Sequence, residues 1–186
     1  MPVQQMLKRI NEAHRTKTAI HEAGHAVFAV YYGFYLINVN IVRNYKKHRQ
    51  GAENHSVESK KDFEDAVVSY GGYTAVNVVF GMSDAEVEEE LSSGDWAKAE
   101  KCFKRYCEQK KWKFDDHFDQ LHQKAMDAAF NLMDKKGMKR AVLLVAEALL
   151  KKETLKHKEV EWILYKAGCI KKSNLLLVHR ADGRAG

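Results

Sequence analysis

With 186 residues and 45% hydrophobic side chains, the chain is sized for one domain with a core large enough to stand alone. Thirty-one basic against 25 acidic side chains give a formal charge of +6, and one proline and 11 glycines leave little room for a linker. Cys102, Cys107 and Cys169 form an odd set without C-x-x-C spacing, which argues against a disulfide framework and a cysteine-based zinc site and makes a reducing cytoplasm the simplest home.

The chain opens on an amphipathic segment, Val3, Met6, Leu7 and Ile10. Met1 to Arg9 has no apolar h-region and no small-residue cleavage site, so no signal peptide is expected. A helix is predicted from about Thr16 to Gly33. Tyr35 to Val42 then alternates as a half-buried strand should, and a turn leads to a weaker strand near Asn54 to Val57. Asn38 and Asn40 shorten the uncharged stretch from Ala26 to Val42 as an apolar run, and it does not read as a membrane span. The basic run Lys46-Lys47-His48-Arg49 lies between the two strands with only Tyr45 as an adjoining aromatic. It reads as a solvated hairpin turn rather than a nucleic-acid surface.

The rest is helical. Helices are predicted over Asp62 to Phe80, Gly94 to Gln109, Phe114 to Lys136, Lys139 to Lys151 and Lys156 to Ala167, with Asp84 to Leu91 as a short acidic helix or loop. Leu143, Val145, Ala146, Leu149 and Leu150 mark a core stripe. Cys102 and Cys107 fall on a helix with Phe103 and Tyr106 and read as packing or solvent-facing thiols. The expected fold is mainly α (α+β): a helical bundle with one small antiparallel β-sheet, a single domain over residues 1–170 and a flexible tail over 171–186.

His21-Glu22-Ala23-Gly24-His25 is an H-E-x-x-H pattern. Residues four apart on a helix share a face, so His21 and His25 can bind one metal ion while Glu22 sits beside the open coordination position. The implied chemistry is hydrolysis: a zinc ion with three protein ligands lowers the pKa of its bound water to roughly 7, and Glu22 can take that proton and deliver it to a leaving amine. Such short patterns also arise by chance. The apolar flanks, Thr18-Ala19-Ile20 and Ala26 to Val30, place this one on a helix destined for the interior, where a buried cluster without a metal would be costly. The extended pattern with a third histidine fails, since Phe28 stands where glycine is needed and Tyr31 where the histidine belongs. A glutamate about twenty residues on is also missing, as residues 40 to 50 hold no carboxylate. The third ligand must come from farther away. His117 and His122, five apart, are off the one-turn ligand spacing.

Four segments in order carry a family resemblance: Thr18 to Ala26 around the zinc motif, Tyr70-Gly71-Gly72 through Val79-Phe80-Gly81, Ser92-Ser93-Gly94-Asp95, and Ala148 to Leu155. Together, over roughly residues 16 to 167, they resemble the peptidase domain of the membrane-anchored AAA zinc proteases of the FtsH type. The resemblance implies that Asp95 is the third zinc ligand beside His21 and His25, that one Zn2+ is held per chain, and that Glu22 is general base and then acid. It implies a metalloendopeptidase acting on peptides or unfolded proteins, with the substrate added as an extra strand to a sheet edge. No counterpart of the ATPase domain or membrane anchor of those proteases is expected in these 186 residues, which contain no G-x-x-x-x-G-K-[ST] loop. Activity is therefore expected to be ATP-independent, with coupling to a separate ATPase partner left open.

Val76 and Asn77 stand where the family carries two glutamates, and Gly94 replaces an asparagine. Losing partners that orient metal ligands costs roughly 10- to 100-fold in affinity or activity. The alternative is therefore a catalytically weakened, peptidase-like binding or regulatory module. A nucleic-acid-associated protein rests on the charge balance alone. Two histidines and a carboxylate also suit iron, and less well manganese or cobalt.

Overall fold

The first helix, α1, runs unbroken over Val3–Tyr31, so the amphipathic start and the motif helix are one element. It stops where Gly33 adopts φ +78°, with the Gly33 N–H donating to Val30 O and the Phe34 N–H to Ala29 O. This pair of bonds closes the last turn and needs the left-handed conformation glycine adopts freely. The computed structural model describes residues 3–44, 49–55, 61–82 and 93–172.

Strand β1 (Leu36–Asn44) pairs antiparallel with β2 (Arg49–His55), with Val39 opposite Glu53 and Asn40 opposite Ala52. The second strand thus begins about five residues before its expected position. Its sequence, Arg-Gln-Gly-Ala-Glu-Asn-His, has no apolar alternation, so pairing with β1 defines it rather than periodicity. Arg49 of the basic run belongs to β2, whereas Lys46, Lys47 and His48 lie outside the described residues. A two-residue strand, β3 (Thr154–Leu155), which the sequence reading did not anticipate, pairs on the other side of β1, giving the order β2-β1-β3.

The helix expected over Asp62 to Phe80 is two: α2 (Asp62–Ser69) and α3 (Gly71–Phe80). Between them the Tyr70 N–H bonds Val67 O, three residues back, and the hydroxyls of Ser69 and Thr74 bond Asp65 O and Tyr70 O. Hydroxyls bonding back to the carbonyl one turn earlier bend a helix, and the glycine pair that follows is a poor helix former. Next come α4 (Ser93–Lys110), α5 (Phe114–Met133), α6 (Met138–Lys152) and α7 (His157–Ala167). The expected acidic segment at 84–91 and tail residues 173–186 lie outside the described residues.

The core gathers around α1, which lies against α3, α6 and the sheet. Ala23, Val27 and Phe28 of α1 are fully buried with Phe34, Val39, Val67, Phe103 and Leu164. On α6 the buried stripe is Met138, Ala141, Val142, Val145, Ala146 and Leu149. Leu143, expected in the core, is 42% exposed, because it lies about 100° around the helix from Val142 and about 200° from Val145, away from the buried face. Cys102 and Cys107 are buried, so both are packing residues. Among the described residues no helix is long and apolar enough to cross a membrane.

Candidate metal centre

His21 and His25 lie one turn apart on the part of α1 that enters the core, with their Nε2 atoms 3.0 Å from each other. Asp95, in the first turn of α4, reaches them from 70 residues farther along the chain. Its Oδ2 lies 3.1 Å from His21 Nε2 and 3.3 Å from His25 Nε2. The positive end of a helix dipole favours a carboxylate there. Among the described residues, His21, His25 and Asp95 are the one group of three or more such side chains arranged to hold a metal ion. His117 and His122 are not part of it. His117 packs on Trp112, and His122 Nδ1 is hydrogen-bonded to the Tyr70 hydroxyl at 2.7 Å with Trp96 and Phe118 around its ring.

The orientation of His25 is fixed from behind. Its Nδ1 is 2.8 Å from Val68 O, and since a carbonyl only accepts, Nδ1 carries the proton and Nε2 faces the group. The spacing suits a tetrahedral ion: ligand bonds of about 2.0–2.1 Å place neighbouring donor atoms about 3.3 Å apart. The three donor separations here are 3.0, 3.1 and 3.3 Å.

No protein-family model matches this chain, and no curated protein does.

Space for the centre comes from glycines. A Cβ on Gly72 would lie 2.5 Å from His25 Nε2 and 2.6 Å from His21 Nε2. A Cβ on Gly24 would collide with the backbone of Gly71, and one on Gly71 would lie 2.8 Å from Gly24 O. Gly24 and Gly71 thus let α1 and α3 touch backbone to backbone, and Gly72 leaves the imidazoles their place. The sequence marks the glycine pair, but its purpose depends on a crossing between elements some fifty residues apart.

Charge in the group is strongly coupled. Burial drives the His21 imidazole below its ordinary pKa. Burial also opposes charge on His25, but the adjacent Asp95 carboxylate, with Glu22 adding to it, more than offsets this and raises its pKa to about 9. Burial opposes the charge on Asp95, yet the two histidines hold its carboxyl well below the usual carboxylate range. The arrangement therefore favours a cation between the two rings and the carboxylate, and that cation is either a proton or a metal ion. Glu22 is 7% exposed, and its charge is felt at His25.

Neither residue in place of the expected glutamates supplies a carboxylate. Val76 is buried, and the Asn77 amide donates to Met82 O. Another support, which the sequence reading missed, joins α4 to α2. Arg105 of α4 binds Asp62 Oδ1 at 2.5 Å and Asp65 Oδ2 at 3.2 Å, and Gln109 also binds Asp62. Asp65 Oδ1 in turn contacts His55 Nε2 at 2.9 Å. The helix that carries Asp95 is thereby clamped to the helix whose Val68 carbonyl orients His25. Asp62 and Asp65, three apart and so on one face of α2, were the available signal.

Proposed function

We propose that the chain is a zinc-dependent peptidase that hydrolyses peptide bonds in peptides or unfolded proteins. The observation that carries this reading is the convergence of His21, His25 and Asp95 from distant parts of the chain to donor separations of 3.0–3.3 Å, with buried Glu22 between the histidines in sequence. A divalent ion held by these three residues would activate water near neutral pH and polarise a scissile carbonyl. Glu22 takes the proton from the attacking water and returns it to the leaving amide nitrogen. His25, held by Val68 O, and Asp95, at the start of α4, keep the geometry fixed during the reaction.

The similarity of the motif segments to FtsH-type peptidases supports the same reading. An extended substrate would pair along an outer strand of the sheet. Among the described strands β1 is flanked on both sides, and β2, with seven residues, is the longer outer strand. The free cysteines support a reducing compartment.

A second reading, a peptidase-like binding module, is favoured by Val76 and Asn77 in place of carboxylates. Elemental analysis with cleavage of casein, comparing wild type, Glu22→Gln and Asp95→Ala, separates the two. The peptidase reading expects about one zinc per chain, a Glu22→Gln protein that keeps zinc but loses roughly 10²- to 10⁴-fold in rate, and an Asp95→Ala protein that loses zinc. Zinc without cleavage in wild type supports the module, and iron in place of zinc reassigns the metal.

A further inference from the structure

Solvent reaches the metal centre from one side: the His21 side chain is 20% exposed, against 4% for His25 and 9% for Asp95. A half-exposed cation stands beside the group. Lys98, one turn beyond Asp95 on α4, has a side chain 55% exposed, with its Nζ 3.8 Å from Asp95 Oδ1. That distance is too long for a hydrogen bond, so Lys98 is held loosely by charge alone. Asp95 directs Oδ2 to the histidines and Oδ1 toward Lys98. The ammonium is close enough that its charge opposes protonation of both imidazoles.

The charge balance follows from these positions. A divalent ion at the three ligands would be matched by the carboxylates of Asp95 and Glu22. It would draw charge from Asp95 and weaken the carboxylate's hold on Lys98, leaving the mouth of the site with one positive charge in excess on a side chain free to swing.

We propose that Lys98 is a specificity residue that binds a carboxylate of the substrate next to the scissile bond, either an acidic side chain or the free end of the chain. The inference rests on the metal-centre reading and goes beyond it. A half-exposed ion pair of this kind contributes about three- to fivefold in affinity and weakens with salt.

The test uses cobalt(II)-loaded protein and three short peptide hydroxamates that differ in one group: glutamine with an amidated C-terminus, glutamate with an amidated C-terminus, and glutamine with a free C-terminus. Binding is followed in the visible bands of the cobalt ion, so no turnover is needed. One of the two carboxylate probes is expected to bind about three- to fivefold tighter than the neutral one. A glutamate preference assigns Lys98 to acidic side chains, and a preference for the free acid assigns it to chain ends. In Lys98→Gln, which keeps the cobalt spectrum, the preference disappears, and in Lys98→Glu it reverses. Equal binding of all three probes to wild type overturns the proposal, as does a preference that survives in Lys98→Gln. A wild-type protein that shows no cobalt bands before any peptide is added overturns the metal-centre reading, and the Lys98 assignment with it.

Discussion

Substituting Gly72 by alanine tests the centre without touching a ligand. The new Cβ would lie 2.5 Å from His25 Nε2, where ordinary contact begins at 3.4 Å, so the rings must retreat by about 0.9 Å or α3 must move away. Neither is easy. His25 is tied to Val68 O, and α3 lies backbone to backbone on α1 at Gly24 and Gly71. Metal–ligand distances tolerate only about 0.2 Å, so zinc affinity is expected to fall at least about 100-fold, beyond the loss of a single orienting partner. Stability is expected to change much less: overpacking costs about 1–3 kcal/mol, while replacing a helical glycine by alanine returns about 1 kcal/mol. Competition with a chromogenic chelator gives the affinity, and urea denaturation in the presence of EDTA gives the stability. Wild-type zinc affinity in Gly72→Ala would falsify the placement of both imidazoles against α3.

Arg105→Ala leaves buried Asp62 and Asp65 short of their cation, and the loss is expected to be about 2 kcal/mol, the cost of stranding buried charged acceptors; an unchanged urea midpoint would refute the clamp between α2 and α4. Asp65 titrates below its ordinary value: burial opposes its charge, but the His55 bond and Arg105 prevail. A depressed carboxylate contributes stability fully above the unfolded pKa of about 3.9 and loses it as pH falls through the lower native value. Asp65→Asn should therefore be less stable at pH 7 and decline less in acid, as read from urea midpoints between pH 7 and pH 2, and parallel curves for the two proteins would reject the assignment. Val142→Ala, fully buried, is expected to cost about 2 kcal/mol, whereas Leu143→Ser, at an exposed site, should stay within about 0.5 kcal/mol. EDTA should lower the Tm of wild type but not of Asp95→Ala, since only a protein that binds the ion gains stability from it.

Wherever the signal was local, the sequence alone settled the matter. The 3.6-residue spacing around His21 and His25 fixes both rings on one face of a helix, and alternation from Tyr35 to Val42 marks the central strand, although a register shift between Leu36 and Asn38 buries Leu36 and leaves Ile37 exposed. Four of the later helices fall within about three residues of their predicted bounds. That Asp95 meets the two histidines was anticipated only through the resemblance of its segment, because nothing local distinguishes this carboxylate in a first helical turn from an ordinary one there.

Tertiary structure decided what depends on approach between distant segments. Polar β2 is a strand because β1 offers it hydrogen bonds, and β3 exists because the chain returns to the other side of β1 after α6. The same holds for the glycines, whose missing Cβ atoms matter only at the crossing of α1 and α3, and for the carbonyl of Val68, which orients His25 without leaving any trace in side-chain identity. Periodicity records which face of an element is apolar, but a metal centre is built from the atoms that meet when those faces pack, and that meeting is a property of the folded chain.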